Sequence, residues 1–269
     1  MTPCPPPAAL LDSVVAIARA AGAAIMDIYR SGSQVSYKND DSPLTAADLA
    51  AQRLIHEQLN RLTPGLPQLS EEAAQSPYAQ RTGWNCHWLI DPLDGTKEFI
   101  QRNGEFTVNI ALIREHRPVL GVVYAPAVDR CYCAAENAGA FRRQGGAAPE
   151  PIRVRACAPE VPAVVGSRLH GTNAMAGYLH RLGPHEFRAV GSSLKFCLVA
   201  EGSADLYPRL GPTCEWDTAA AQCVVEQAGG LVTDWQGEPL RYNGKESLLN
   251  PHFLVFGDRR RNWRAPGSG

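Results

Sequence analysis

The reading of the fold turns on WLIDPLDGTKEFI (residues 88–100), where an apolar run stops at Asp91 and a second acid follows at Asp94. The preceding HWLI is apolar enough for a central strand. Pro92 discourages continued pairing, Gly95 permits a tight turn, and TKEFI can begin a helix. Two carboxylates three residues apart across such a turn can converge on one point. Brought that close they repel and raise a pKa, unless a cation sits between them. An oxygen-only pair suits a hard ion such as Mg²⁺, and the backbone N–H groups of Gly95 and Thr96 would make an anion site beside it. An Asx-turn and a helix cap explain the same two acids equally well, so the pair alone leaves both readings open.

Outward from this stretch, the flanking segments set the fold class. PQLS, HWLID, FTVNIALI, PVLGVVYA and RCYCAA are rich in β-branched and aromatic residues and follow one another without intervening helices. This argues for a mixed or antiparallel sheet and against a regular βαβ array. Before them, residues 10–29 carry apolar side chains at helical spacing (Leu11, Val14, Val15, Ala18, Ala21, Ile25, Ile28), behind a Pro-rich leader. A short extended QVSYK and a turn rich in Asn, Asp, Ser and Pro lead to a second helix with Leu49, Leu54, Ile55 and Leu59 on its apolar face. RRQGGAAPEP (residues 142–151) lacks periodicity and is the expected join between an N-terminal lobe, 8–150, and a C-terminal lobe, 151–265. Beyond it strands and helices alternate: VPAVVGS, NAMAGYLHRL, EFRAV, SLKFCLVAEG, ADLYP, EWDTAAAQCVVEQAG, GLVTDW and HFLVFG. The tail RRRNWRAPGSG is expected to fray.

The bulk properties narrow the partners. A formal net charge of −1 and a pI near 6.7 give no footprint for nucleic acid or a strongly anionic membrane, which favours a small molecule. The eight cysteines contain no C-x-x-C pair and are expected to be reduced. The N-terminus lacks the pattern of a secretory signal, and no run of about 18 apolar residues suggests a transmembrane segment. The expected compartment is the cytoplasm.

A metal site needs more acids than Asp91 and Asp94. LSEEA places Glu71 and Glu72 directly after a strand-like segment, and CEWDTAA places Asp217 at a helix start. Taken singly, each is equally an acid at a helix start, favoured by the helix dipole. GKES lacks the hydroxyl residue and upstream glycine of a phosphate-binding loop, and the histidines are scattered.

SEE, DPLDGT and WD, in this order and at these distances, resemble the inositol monophosphatase superfamily of metal-dependent, lithium-sensitive phosphatases. The longer stretches DSPLTAADLAA, DPLDGTKEFIQRNGEFTVNIALI, GVVYAP, GSSLKFCLVAEG and LYPRLGPTCEWDTAA are similar to its bisphosphate nucleotidase branch, and the likeness runs from about residue 10 to about residue 256. The resemblance implies an α+β fold, an αβαβα layered sandwich with mixed or antiparallel sheets. It implies two or three Mg²⁺ ions at the junction of two lobes, with Glu71, Asp91 and the Leu93 carbonyl holding one and Asp91, Asp94 and Asp217 the second. It implies that Thr96 and Asp48 activate the attacking water, alongside Glu71 in the catalytic set. Substrate contacts are implied for Glu71, Gly95, Thr96, His170, Gly191, Ser192, Lys195 and Asp217. At His170 this chain departs from the pattern, since Leu169 stands where the family usually has Ser. Lys195 is equally a helix-surface lysine when read alone.

The implied activity is hydrolysis of adenosine 3',5'-bisphosphate to AMP and phosphate, extending to 3'-phosphoadenylyl sulfate, in sulfate assimilation. Lys97 and Glu98 fit that branch better than the inositol phosphatases, where DGTTNF is usual. Two alternatives stand beside it: an inositol or sugar phosphate phosphatase of the same fold, and a non-catalytic Mg²⁺-dependent nucleotide-binding protein. The family further implies a monomer or weak homodimer, and a peripheral place on the cytoplasmic side of the inner membrane has been assigned within it.

Overall fold

A computed structural model describes residues 4–31, 35–37, 43–167 and 173–264. Helix α1 (Pro7–Ser31) opens on a proline, whose fixed φ suits a first helical turn. Strand β1 (Val35–Tyr37) pairs antiparallel with β2 (Pro43–Thr45). Thr45 then caps α2 (Ala46–Leu62) through a reciprocal capping box with Asp48. The buried face of α2 is Ala47, Ala51, Ile55 and Leu59. Leu49, expected on that face, is 43% exposed. It lies two residues, about 200°, from the Ala47–Ala51–Ile55 row, so the apolar stripe is carried by alanines instead.

The large sheet has the spatial order β3 (Gln68–Ser70), β4 (Cys86–Asp94), β5 (Thr107–Arg114), β6 (Arg117–Ala125), β7 (Arg130–Ala135), β8 (Gly139–Gln144) and β9 (Glu150–Pro151). Only β3 and β4 run parallel; each later neighbour is antiparallel. Two short helices interrupt it, α3 (Tyr78–Arg81) and α4 (Thr96–Ile100). Residues 142–151, read from sequence as the join between lobes, contribute strand pairing through β8 and β9.

The second sheet has the order β11 (Glu186–Ala189), β10 (Ala163–Gly166), β12 (Leu206–Arg209), β14 (Phe253–Phe256) and β13 (Leu231–Asp234). Helices α5 (Asn173–Leu182), α6 (Leu194–Ala200) and α7 (Glu215–Gln227) accompany it. Helices α1 and α2 cover the outer face of the large sheet, burying Val14 and Ile55 with Trp88, Ile90 and Val122. Between the sheets lie α6 and α7, where Phe196, Val224 and Val255 meet Leu89, Ala111 and Val123. Beyond the second sheet, Tyr178 and Leu182 of α5 pack on Val164, Leu206 and Leu254. The layers alternate helix, sheet, helix, sheet, helix, the αβαβα sandwich that the resemblance implied. Because β4 has helices on both faces, Trp88 and Ile90 enter one core and Leu89 the other, which is why the strand reads as an unbroken apolar run. Gly121 lets α7 lie directly on β6, since a Cβ there would run into the carbonyl of Ala220.

Two expectations need correction. The tail is anchored through Arg264: Trp263 is 1% exposed, its Nε1 donates to Asp258 O (2.8 Å), and its carbonyl accepts from Tyr178 Oη (2.7 Å). Burying one indole in the α5 layer outweighs the charge of the flanking arginines. The cysteines are not all reduced, because Cys4 and Cys86 form a disulfide across a Cα separation of 5.5 Å, with the other six cysteines free. Cysteine usage therefore no longer argues for a reducing compartment. By length and composition α1 is also apolar enough to cross a membrane, but it spends Leu11, Val14, Val15, Ala18 and Ile25 on the core against α2 and the large sheet.

Candidate active site

The site lies where the ends of β3 and β4 meet the N-termini of α4, α6 and α7. Strand β4 continues past Asp91, contrary to the expected stop, and pairs to Asp94 across a register shift between those two residues. Pro92 sits in that irregularity, where a missing N–H costs no ladder bond. The shift keeps Asp91 and Asp94 near enough for their charges to interact although they are three residues apart in a strand. Asp91 Oδ1 accepts from Leu93 N (3.0 Å), which fixes its rotamer.

Carboxylate oxygens of Glu71, Asp91 and Asp217 lie within 4.8 Å of one another. Glu71 follows β3, its N–H bonded to Ile90 O (3.2 Å), so the parallel β3–β4 pairing delivers it beside Asp91. The choice between Glu71 and Glu72 falls to Glu71 in this cluster. Asp217 caps its own helix, accepting from Cys214 N (2.9 Å). Asp94 accepts from Ser193 N (2.6 Å) and Asn109 Nδ2 (3.5 Å), a link from the large sheet to the start of α6.

Burial, and then the charges of Glu71, Asp94, Asp217 and Asp48, push the Asp91 carboxyl well above its ordinary value. Burial, Asp94 and Glu71 do the same to Asp217. Burial raises Asp94 as well, with the nearby Lys195 pulling the other way. A cation placed among acids that frustrate one another in this way would relieve the repulsion, which makes the cluster a candidate metal site. The clustered donors of Glu71, Asp91 and Asp217 are all carboxylates, so the set fits a hard divalent ion such as Mg²⁺.

Beside the acids, Thr96 Oγ1 donates to Asp48 Oδ1 and lies equally close to Leu93 O (both 3.4 Å). Asp48 is buried, and its Oδ2 accepts from both the N–H and the hydroxyl of Thr45 (2.7 Å each). The capping box of α2 thus holds the carboxylate with Oδ1 turned to Thr96. Gly95 has φ +91°, a left-handed conformation that glycine adopts without strain, and a Cβ there would meet Glu105 O at 3.1 Å.

A cavity of about 240 Å³ opens in front of these groups, lined among others by Glu71, Asp94, Thr96, Lys195, Arg209 and Asp217. Lys195, read from sequence as either a surface or a site residue, is 5% exposed. Its Nζ donates to Ser192 O (2.5 Å) and Val190 O (3.3 Å) and lies 5.4 Å from the Tyr207 ring centroid. Burial pulls its pKa down to about 8, against the holding effect of Asp94. Ser192, at φ +47°, lines the cavity, whereas Gly191 is a point of close approach. Gly191 N donates to Glu105 Oε2 (2.8 Å), and a Cβ would strike Glu105 O and Glu98 Cγ, both at 2.7 Å. His170 lies outside the described residues.

Sequence reasoning assigned no role to Arg209, Ser193 or Asn109. Arg209 ends β12, and its guanidinium is tied to the carbonyls of Gly211 (3.2 Å) and Pro212 (2.8 Å) at the cavity edge. LYPRLG carried no local sign of this beyond an arginine at a strand end. Ser193 donates through Oγ to Asn109 Oδ1 (2.8 Å) in a buried polar cluster that only tertiary contact creates.

The profile of the inositol monophosphatase family matches residues 8–261. The chain is 52% identical to 3'(2'),5'-bisphosphate nucleotidase CysQ of Salmonella typhimurium over 91% of its own length and 99% of the relative's, and equally to that of Escherichia coli strain K12. Among solved structures, CysQ from Bacteroides thetaiotaomicron, described as a bacterial member of the inositol monophosphatase family, superposes with a TM-score of 0.78 at 43% identity, covering 91% of this chain and 95% of that one. The suhB protein of Bartonella henselae superposes with a TM-score of 0.79 at 26% identity, covering 96% and 98%.

Proposed function

This chain belongs to the inositol monophosphatase family, and we propose that it is a Mg²⁺-dependent 3'(2'),5'-bisphosphate nucleotidase. Its substrate is adenosine 3',5'-bisphosphate, released as AMP and phosphate, with 3'-phosphoadenylyl sulfate as a second substrate in sulfate assimilation. The observation that carries this reading is the convergence of Glu71, Asp91 and Asp217 beside a cavity that also holds a buried lysine and an arginine. An ester with one phosphate to cleave and another to anchor suits both halves.

Two or three Mg²⁺ ions held by Glu71, Asp91, Asp94, Asp217 and the Leu93 carbonyl would supply Lewis-acid polarisation of the phosphoryl group and a more acidic water. The chain's own groups do the rest. Thr96 Oγ1 orients the attacking water, and Asp48, held by Thr45, takes up its proton at Oδ1. Attack on phosphorus in line with the ribose oxygen forms the new P–O bond as the ester P–O bond breaks in one displacement, and the departing ribose oxygen takes a proton from solvent to become the hydroxyl of AMP. The amides of Gly95 and Thr96 hold non-bridging oxygens. Lys195, with Ser192 and Arg209, neutralises the phosphate that is not cleaved, and the segment carrying His170 belongs to the same substrate side. The enzyme acts on a small-molecule substrate in the cytoplasm, as a monomer or weak homodimer of two lobes joined near residue 151.

Phosphate release from adenosine 3',5'-bisphosphate and from inositol 1-phosphate, each with Mg²⁺ and with chelator, tests the proposal. Mg²⁺-dependent release from the nucleotide alone is expected. Preference for inositol 1-phosphate would refute the substrate, and no release from either would leave a nucleotide-binding protein.

A further inference from the structure

Glu71 and Asp217 approach the same point from separate elements, and three buried side chains behind the cavity connect the segments that carry them. None of the three lines the cavity. The segment after Glu71 runs into α3, where Arg81 Nε donates to Ser76 O (3.1 Å). One terminal nitrogen of Arg81 donates to Asn243 Oδ1 (2.7 Å) and the other to Glu246 O (2.7 Å). Asn243 answers by donating Nδ2 to Arg81 O (2.8 Å), and its backbone N–H donates to Glu215 Oε2 (2.7 Å). Glu215 is 0% exposed and opens α7, two residues before Asp217.

The same strap of chain holds α7 at further points. Glu215 N donates to Leu248 O (2.8 Å), and Asn250 donates through Nδ2 to Cys214 O (2.7 Å) and Thr218 Oγ1 (3.1 Å). Asn243 sits at φ +57°, a backbone conformation that Asn tolerates better than most residues. A buried guanidinium and a buried carboxylate joined through one asparagine are weak evidence of stability, because desolvation consumes much of the attraction. Their value lies in geometry, since the bonds from Ser76 through Arg81 and Asn243 to Glu215 Oε2 restrict the arrangement of the elements they join, although Glu215 Oε1 is buried without a partner.

We infer that Arg81, Asn243 and Glu215 are positioning residues that set the separation of Glu71 from Asp217 and thereby the affinity of the acidic cluster for a divalent cation. The inference rests on the metal-dependent reading above. It is analogous to the outer hydrogen bonds of other metal sites, whose loss weakens metal binding by about 10- to 100-fold.

The test is Mg²⁺ binding to metal-free protein by calorimetry, alongside the Mg²⁺ concentration for half-maximal phosphate release and the KM for nucleotide at saturating Mg²⁺. Asn243→Gly keeps the left-handed backbone and the N–H to Glu215 while deleting both side-chain bonds to Arg81. It is expected to weaken Mg²⁺ binding about 10-fold, to raise the half-maximal Mg²⁺ concentration in parallel, and to leave the saturated KM unchanged. Asn243→Asp, which keeps the acceptor for Arg81, should recover most of the loss. Should Asn243→Gly not fold, Glu215→Gln gives the same reading, with a smaller weakening in the same direction. Tyr78→Phe removes only the bond from Tyr78 Oη to Gly244 O (3.1 Å) on the outer side of the strap and should leave Mg²⁺ affinity unchanged. A lower melting temperature with wild-type Mg²⁺ affinity in Asn243→Gly, or an equal loss in Tyr78→Phe, would overturn the positioning role. An active wild type with unmoved variants refutes this inference alone, whereas a wild type that neither binds Mg²⁺ nor releases phosphate refutes the function beneath it as well.

Discussion

The cavity has an acidic wall and a basic wall, and burial acts on them in opposite directions. Glu71, Asp91, Asp94 and Asp217 add like charge to like, so burial and mutual repulsion raise Asp91 and Asp217 together. Across from them Lys195 loses basicity to burial, but its charge is retained by Asp94 and its N–H bonds are taken by Ser192 and Val190. One wall is incomplete without a cation; the other is internally matched. On the proposed function, metal binding is a matter of charge left over, and substrate selection a matter of geometry.

The largest expected effect breaks the acidic wall. Asp91→Asn should lower phosphate release by on the order of 10²–10³-fold or more, the scale for losing one electrostatic contact to a reacting group. The same variant, in chelator, should melt higher than wild type, because a buried like-charge contact is gone. An active variant would remove Asp91 from the centre of the site.

Next comes the pH dependence of the metal-free fold. The Asp91 and Asp217 carboxyls ionise near their ordinary values in the unfolded chain and only at higher pH in the folded one. Between those values the folded state binds the extra protons, so stability in chelator should fall as pH rises. Saturating Mg²⁺ should flatten the slope by favouring the ionised forms. Thermal melts across pH with and without Mg²⁺ would show equal slopes if the acids hold no ion.

The basic wall should respond in a different observable. Lys195→Met is expected to raise KM for adenosine 3',5'-bisphosphate by about 10-fold, roughly one charge-assisted hydrogen bond, with the Mg²⁺ requirement unchanged. In the wild type KM should climb as pH passes about 8, where the ammonium is lost, and the variant should show no such climb. A shift in Mg²⁺ requirement instead would merge the two walls into one.

The acidic wall was legible in sequence because its parts are local: WLIDPLDGT writes a strand end, a turn and two acids in consecutive residues, LSEEA and CEWDTAA offered Glu71 and Asp217 as further candidates, and the family likeness added Asp48 and Thr96. The basic wall was only half legible. Lys195 lay in a quoted motif yet could not be told from a surface lysine, since α6 is buried on nearly every side and shows no polar face to compare with. Arg209 and the Ser193–Asn109 cluster acquire their roles only when the two sheets close on α6. The fold followed the same division. Long apolar strands were readable, but β8 and β9 run through Gly, Ala and Pro and are held by pairing with β7, not by their own composition. Trp263 was hidden among arginines.

The smallest effect concerns the turn that joins the walls. Gly95→Ala should destabilise the protein by about 1–3 kcal/mol, the range for a non-glycine residue forced to a left-handed φ. Glu105 O, 3.1 Å from the new Cβ, adds to the strain. Chemical denaturation measures it, and a neutral result would mean that the turn relaxes freely.

The most direct measurement is anomalous scattering from crystals soaked in Mn²⁺, an oxygen-preferring stand-in for Mg²⁺. A peak within bonding distance of Glu71, Asp91 and Asp217, absent in Asp91→Asn, is the expected result. A cavity that holds no ion at concentrations supporting phosphate release would contradict the claim that the acidic wall is built to be completed by a cation.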